Sequence, residues 1–197
     1  MLLSLGEKLA MNNPIRAAIQ RHYEARQFLK LGGPTKGARA LEMGCGQGVG
    51  AEIIFDVFGA GKVDAFDLDP DMVARARRRL ARFGDRVRLF TGDAERMEAA
   101  DASYDAVFDF GIIHHVPGWK MAVAEAFRVL KPGGRFYTEE VYRPFTANFL
   151  VRAVAEHPQE AEFTHDEYGK ALSAAGFKII GQERLLSLFG WFVAQKP

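Results

Sequence analysis

The chain has 197 residues, of which 48% are hydrophobic and 26% are charged, which suits one domain with a buried core. This composition excludes a highly charged disordered chain, and the presence of one cysteine, Cys45, excludes a domain held together by internal disulfides. A formal net charge of +1 provides no overall attraction to a polyanion, so nucleic acid is not an expected partner.

The first residues, MLLSLGEKLAMNNP, contain an apolar run at the position of an export signal. Their apolar run is too short and too polar for a signal peptide or a membrane span. Elsewhere apolar residues never continue for the roughly 18 positions that a spanning helix requires. We therefore expect a soluble protein of the cytoplasm.

Hydrophobic spacing and turn residues predict strands that alternate with helices. A first helix begins at Asn13-Pro14, a capping residue followed by proline, and ends near Gly32-Gly33-Pro34. Five strands are predicted next along the chain, at 38–43, 63–68, 86–91, 104–110 and 135–141. Helices are predicted between them at 48–58, 70–82 and 117–130. This alternation is typical of a parallel sheet that helices cover on both faces.

The last part of the chain predicts one more helix and a pair of strands. Thr164 and Glu167 have the spacing of a capping box, and Phe163 and Tyr168 are placed for a hydrophobic staple. Two strand-like runs follow between 178 and 196, separated near Ser187, and so short a connection makes them antiparallel. The sequence therefore predicts a single α/β domain over residues 1–197.

The connection after the first strand is rich in glycine. Residues 41–50 have the sequence LEMGCGQGVG, and its glycines permit positive φ and leave the backbone open to a ligand beyond the strand end. Such a loop does not by itself distinguish cofactor classes, because residues 46–51 also match a variant of the dinucleotide fingerprint. A nicotinamide-dependent oxidoreductase therefore stays open as an alternative.

Acidic residues lie at the ends of three successive strands, and together they narrow the class of ligand. Glu42 precedes the glycine loop, where a carboxylate would oppose a pyrophosphate but attract an ammonium or a sulfonium. Asp67 ends the second strand and can accept two ribose hydroxyls, and Asp93 after the third strand can accept from an adenine amine. The three positions together predict a ligand with an amine, a diol and an adenine.

Five stretches in one order over residues 38–141 resemble the class I S-adenosylmethionine-dependent methyltransferases. They are LEMGCGQG, VDAFDLDPDMVARARRRL, TGDAERM, YDAVFDFGIIHHV and FRVLKPGGRFYTEE. The resemblance is nearest to the small-molecule group that includes ubiquinone and menaquinone biosynthesis methyltransferases. It implies transfer of a methyl group from S-adenosyl-L-methionine to an oxygen, nitrogen or carbon of a small-molecule acceptor, with S-adenosyl-L-homocysteine as product.

The same resemblance implies a Rossmann-like three-layer sandwich. Its seven-stranded, mostly parallel sheet has the order 3-2-1-4-5-7-6, with strand 7 antiparallel. Residues 1–34 would form an N-terminal helical cap and residues 142–165 a short lid insertion. Two departures from the family pattern are Asp69, where serine or asparagine is more usual, and a bulky Phe110.

The resemblance also assigns the cofactor-binding residues by position. Glu42 and the glycine loop would surround the methionine part, Asp67 would hold the ribose, and Phe110 would face the methionyl amine through its backbone. The full set implied is Glu42, Gly44, Cys45, Gly46, Gly48, Asp67, Leu68, Asp93, Ala94 and Phe110. Leu68 would pack on the adenine, and Asp93 with Ala94 would contact its edge.

Candidates for a general base follow the fourth and fifth strands. They are His114, His115 and Glu139, and alternation along a strand sends Glu139 and Glu140 to opposite faces, so at most one of these two is expected to point into the pocket. Cys45 has no neighbouring base in the sequence and is not expected to act as a nucleophile. No metal site is predicted, and the arginine-rich run 75–88 is interpreted as a solvated helix face rather than an RNA site.

The sequence leaves three questions open. A cofactor-binding module without turnover is a further alternative, because a cofactor site can persist after substrate chemistry is lost. The acceptor and the oligomeric state have no sequence signal.

Overall fold

The computed structural model describes residues 13–143 and 162–197. Over these residues the centre of the fold is a seven-stranded sheet with the order β3-β2-β1-β4-β5-β7-β6. The strands are β1 Arg39–Met43, β2 Lys62–Asp67, β3 Val87–Thr91, β4 Tyr104–Phe110, β5 Leu130–Val141, β6 Lys178–Leu185 and β7 Phe189–Gln195. Strands β1 to β5 pair in parallel, and β7 is antiparallel to both of its neighbours. The predicted sheet order is therefore confirmed.

Helices cover both faces of this sheet. They are α1 Pro14–Ile19, α2 Ala25–Gly32, α3 Val49–Asp56, α4 Pro70–Leu80, α5 Trp119–Val129 and α6 His165–Ala174. On one face α2, α3 and α4 contribute to a core that includes Phe28, Ile53 and Tyr137. On the other face α5 and α6 contribute to a second core that includes Val123 and Leu172. The two cores make the sheet the middle layer of three, as predicted.

Several element boundaries differ from the sequence prediction. The first helix is divided, because a π-helical turn over Gln20–Glu24 separates α1 from α2 and turns Glu24 into the protein. Helix α5 starts at Trp119 instead of 117, since the backbone N–H of Gly118 donates to Glu95 Oε1 at 2.9 Å. Pairing of β5 begins at Leu130, five residues early, with a register shift beside it.

Parts of the predicted cap and lid fall outside the described residues. The predicted cap spans 1–34, and its residues 1–12 are not described. The predicted lid spans 142–165, and its residues 144–161 are not described. In the described ranges, 13–143 and 162–197, no helix combines the length and the hydropathy that a bilayer crossing needs.

Helix α6 depends on the predicted capping box. The hydroxyl of Thr164 accepts the N–H of Glu167, and Glu167 Oε2 accepts the N–H of Thr164 at 2.8 Å. We expect Thr164→Ala to lower the free energy of unfolding by about 1 kcal/mol, because the backbone N–H of Glu167 loses the hydroxyl that accepts its hydrogen bond. Urea denaturation checks this, with Thr164→Ser as the control that keeps the hydroxyl. Equal stability of the Ala variant and the parent protein would contradict the prediction.

Candidate active site

The glycine loop takes conformations that other residues rarely adopt. Gly44, Gly46 and Gly48 have φ values of 64°, 50° and 89°. A Cβ atom on Gly44 would lie 2.6 Å from the side chain of Ile112, so the space around the loop also requires glycine. The backbone of the loop is thereby left open at the carboxyl end of β1.

Asp67 holds this loop against the end of β2. Its Oδ2 accepts the N–H of Gly46 at 2.8 Å, and its Oδ1 accepts the N–H of Asp69 at 2.9 Å. An ionised carboxylate has about four acceptor positions, so these two bonds leave capacity for a diol. Asp69, the departure from the family pattern, caps α4 by accepting the N–H of Asp71 at 2.9 Å.

Glu42 is buried beside the loop with one oxygen unsatisfied. The residue is 2% exposed, and its Oε2 has no hydrogen-bond partner among the residues that the structure describes. Burial and the negative charge of Asp67 raise the pKa of Glu42 well above its ordinary value. A Cβ on Gly50 would lie 1.9 Å from Glu42 Oε1, so only glycine leaves room for this carboxylate. Such a group suits a cationic ligand.

The adenine-side candidates lie at the ends of β2 and β3. Leu68 is 42% exposed, which leaves an apolar side chain available for a flat ring. Asp93 is exposed and its Oδ1 accepts the N–H of Glu95 at 2.9 Å, while Ala94 is buried. Phe110 is buried on the face of Glu42 and packs edge-on against Phe28, with ring centroids 5.6 Å apart.

Cys45 lies in the same loop, but its surroundings do not suit a nucleophile. Its thiol is buried, and burial together with the charges of Glu42 and Asp67 raises the pKa of Cys45 well above its ordinary value. A thiol kept in its neutral form is a poor nucleophile. This supports the expectation from sequence that Cys45 fills space in the loop.

The two histidines follow β4 in a short 3₁₀ turn, Ile113–His115. His114 is buried, and its Nδ1 lies 2.7 Å from Glu140 Oε2. His115 is partly exposed, and its ring centroid lies 4.2 Å from that of His114. The carboxylate beside His114 is a partner that the sequence did not single out.

Glu139 is buried on the opposite face, among residues of the N-terminal helices. Its Oε2 accepts the indole N–H of Trp191 at 3.0 Å, and its Oε1 lies 3.6 Å from Arg16. Arg16 also forms an ion pair with Glu24, which the π-helical turn buries. Burial and the charge of Glu24 raise the pKa of Glu139 well above its ordinary value. Alternation along β5 was predicted correctly, but both carboxyl groups are buried.

A second buried network that the sequence missed lies at the ends of β4 and β5. Asp109 Oδ2 accepts the hydroxyl of Thr138 at 2.7 Å, and Thr138 Oγ1 lies 2.7 Å from the hydroxyl of Tyr168 in α6. Burial and the charge of Glu140 raise the pKa of Asp109 well above its ordinary value. These groups come from three elements, so no local spacing in the sequence could have indicated them.

Arginines on α4 and on the 3₁₀ helix that follows it, Ala81–Arg86, form ion pairs along the outer surface. Arg82 contacts Asp56 at 2.8 Å and Glu52 at 3.1 Å, and Arg79 lies 3.5 Å from Glu52. Paired charges of this kind are expected on a solvated helix face. The exclusion of nucleic acid nevertheless stays a prediction.

Comparison with known proteins agrees with this geometry. Residues 40–134 match the family model described as a methyltransferase domain. A probable S-adenosylmethionine-dependent methyltransferase of Mycolicibacterium smegmatis is 38% identical over 55% of this chain and 40% of its own length. A ubiquinone/menaquinone biosynthesis C-methyltransferase of Methylobacterium nodulans is 33% identical over 67% of this chain and 60% of its own length. The chain spans about half the length of the curated relatives it matches.

The fold has solved counterparts. The S-adenosylmethionine-dependent methyltransferase structure from Mesorhizobium loti superimposes with a TM-score of 0.71 and 19% identity, over 87% of this chain and 95% of its own. The resemblance to the class I S-adenosylmethionine-dependent methyltransferases that the motifs predicted is confirmed, and residues 40–134 carry a methyltransferase domain. S-adenosyl-L-methionine is the cofactor of that family, and the unsatisfied Glu42 oxygen beside the open loop fits the cationic part of that molecule.

Replacement of Glu42 gives a test of this fit. We expect Glu42→Gln to abolish S-adenosylhomocysteine binding while raising the stability of the ligand-free protein, because a buried ionisable group is replaced by an amide that cannot take up a charge. The folded-state pKa of Glu42 lies above its unfolded value of 4.5, so the carboxyl group costs stability as the pH rises past 4.5. The gain in the Gln variant should therefore be larger at pH 8 than at pH 5.

Thermal unfolding with and without S-adenosylhomocysteine measures both effects. The matched control is Glu98→Gln, which changes an exposed carboxylate and should leave both stability and binding unaltered. Undiminished binding by the Glu42 variant would show that this carboxylate does not contact the ligand.

Proposed function

We propose that the protein transfers a methyl group from S-adenosyl-L-methionine to a small-molecule acceptor. The observation that carries the proposal is the buried Glu42 carboxyl group, unsatisfied at Oε2, next to a glycine loop that Asp67 holds open. The printed names of two partial relatives, a fatty-acid O-methyltransferase and a ubiquinone/menaquinone biosynthesis C-methyltransferase, support a small acceptor.

Each predicted cofactor-binding residue has a task in this proposal. Glu42 and the backbone of Gly44, Gly46 and Gly48 would bind the amino-acid part. Asp67 would accept the ribose hydroxyls, and Leu68, Asp93 and Ala94 would contact the adenine, with Cys45 and Phe110 filling the space between. When bound, the cofactor supplies an electrophilic methyl group on a sulfonium.

The protein's own contribution is then orientation of the acceptor and removal of its proton. Proximity and correct orientation of the acceptor can lower the free-energy barrier to methyl transfer by on the order of 7–11 kcal/mol. Of the three candidate bases, Glu139 is committed to Arg16 and Trp191, and its charged form is disfavoured by burial. His114, bonded through Nδ1 to a carboxylate, is the better placed for this task, with His115 next to it.

We further propose that the protein works in the cytoplasm and not on nucleic acid. A single cysteine, buried as a thiol, suits a reducing compartment. The net charge of +1 and the ion pairs of Arg79 and Arg82 argue against a polyanionic substrate.

A nicotinamide-dependent oxidoreductase is the first alternative. A cationic ligand would favour the ionised form of the buried Glu42, whereas a pyrophosphate would oppose it, so we expect isothermal titration calorimetry to show S-adenosylhomocysteine binding and no NADH binding. Asp67→Asn should weaken S-adenosylhomocysteine binding about tenfold or more, since the amide offers one acceptor oxygen where the carboxylate offers two. Asp71→Asn, an exposed change on α4, is the control. Binding of NADH alone would refute the proposal.

A binding module without turnover is the second alternative. Incubation of the protein with methyl-labelled S-adenosylmethionine and a metabolite extract should yield a labelled small molecule that mass spectrometry identifies. The control is the Glu42→Gln variant, which should give none. Label found only in macromolecules, or in no product at all, would count against a small-molecule methyltransferase.

A further inference from the structure

Glu140 holds the backbone of Ile113 and His114, and the His114 ring, in place through three hydrogen bonds. Its Oε1 accepts the backbone N–H of Ile113 at 3.1 Å, and its Oε2 accepts the backbone N–H of His114 at 3.1 Å. The same Oε2 lies 2.7 Å from Nδ1 of the His114 ring. An ionised carboxylate can only accept hydrogen bonds, so Nδ1 must carry the proton. In the neutral ring the lone pair is then on Nε2.

The surroundings decide which carboxyl group of the network is ionised. Burial raises the pKa of Glu140 to about 7, but the donated hydrogen bonds oppose that rise. Burial and the charge of Glu140 raise the pKa of the adjacent Asp109 well above its ordinary value. Glu140 accepts two backbone N–H groups beside the His114 ring, and these bonds favour its ionised form. We therefore place the shared proton on Asp109 and take Glu140 as the carboxylate that faces His114.

Three further titratable groups lie near Glu140 and its partners. Among the described residues they are His115 in the same 3₁₀ turn, Tyr142 just after β5, and Tyr168 in α6. Burial and the charge of Glu140 raise the pKa of both tyrosines, so neither competes for negative charge at neutral pH. Thr138 lies between Tyr168 and Asp109 and completes the network.

We propose that Glu140 is the positioning residue of a His114 base, and that the methyl acceptor therefore carries a proton on its attacking oxygen or nitrogen. This rests on the proposed methyl transfer. As that atom forms its bond to the methyl carbon, the methyl–sulfur bond breaks with its electron pair left on sulfur, and the acceptor's proton passes to Nε2 of His114. The imidazolium that forms is stabilised by the Glu140 carboxylate 2.7 Å away.

The tautomer of His114 is directly measurable. Protein labelled with ¹⁵N-histidine and saturated with S-adenosylhomocysteine gives long-range ¹H–¹⁵N spectra, in which His114→Asn and His115→Asn assign the rings. At pH 8 we expect His114 to be protonated at Nδ1 and unprotonated at Nε2. Glu140→Gln should remove this preference, because the amide can donate to Nδ1. The matched control is Glu139→Gln, the neighbouring residue on the opposite face, which should leave the spectrum unchanged.

The outcomes separate this inference from the proposed function. A parent protein with His114 protonated at Nε2, or a Glu140→Gln spectrum like that of the parent, overturns the inference. If the Gln variant does not fold, the tautomer of His114 in the parent spectrum is enough to test the inference. Failure of S-adenosylhomocysteine to bind in calorimetry would instead refute the cofactor, whatever the tautomer.

Transfer kinetics provide a second readout. In the metabolite-extract assay Glu140→Gln should lower the rate of label transfer by about 10²-fold or more, the usual contribution of a general base. The Kd for S-adenosylhomocysteine should stay within about twofold, because Glu140 lies on the other face of the sheet from Glu42. A rate within threefold of the parent would overturn the inference.

Discussion

Four carboxyl groups are buried at the carboxyl ends of β1, β4 and β5, and the arrangement of the site follows from how each is stabilised. Glu140 accepts backbone N–H groups and the His114 ring. Asp109 accepts the Thr138 hydroxyl, and its raised pKa favours the neutral acid. Glu139 contacts Arg16 and the Trp191 indole. Only Glu42 keeps an oxygen for which the described part of the chain offers no partner. Buried charge needs compensation, and at Glu42 a cationic ligand would provide it.

The sheet separates two kinds of chemistry. Glu42, Phe110 and Glu139 lie on the face that α2 and α3 cover, whereas Asp109 and Glu140 lie on the face of α5 and α6. The proposed cofactor contact and the proposed base are therefore carried by opposite faces of the same sheet. These buried carboxyl groups lower the free energy of unfolding, because an apolar residue of similar size would be buried at a smaller desolvation cost.

Local sequence was informative where a short segment determines its own conformation. The glycine loop, the Asp69-Pro70 start of α4 and the Thr164–Glu167 capping box all form as predicted, since each depends on residues within a few positions. The sheet order came from the family resemblance and is confirmed. The π-helical turn was missed because hydrophobic spacing continues across it, yet that turn buries Glu24 beside Arg16.

The sequence by itself determined the class of fold, the open backbone of the loop and the acidic residues at successive strand ends. Only the tertiary structure decided the electrostatic state of the site. Glu140 and His114 are 26 positions apart and meet because β5 lies beside β4, and Thr138 reaches Tyr168 across the interface with α6. Burial, pKa and tautomer depend on such distant neighbours, and no periodicity along one strand contains that information.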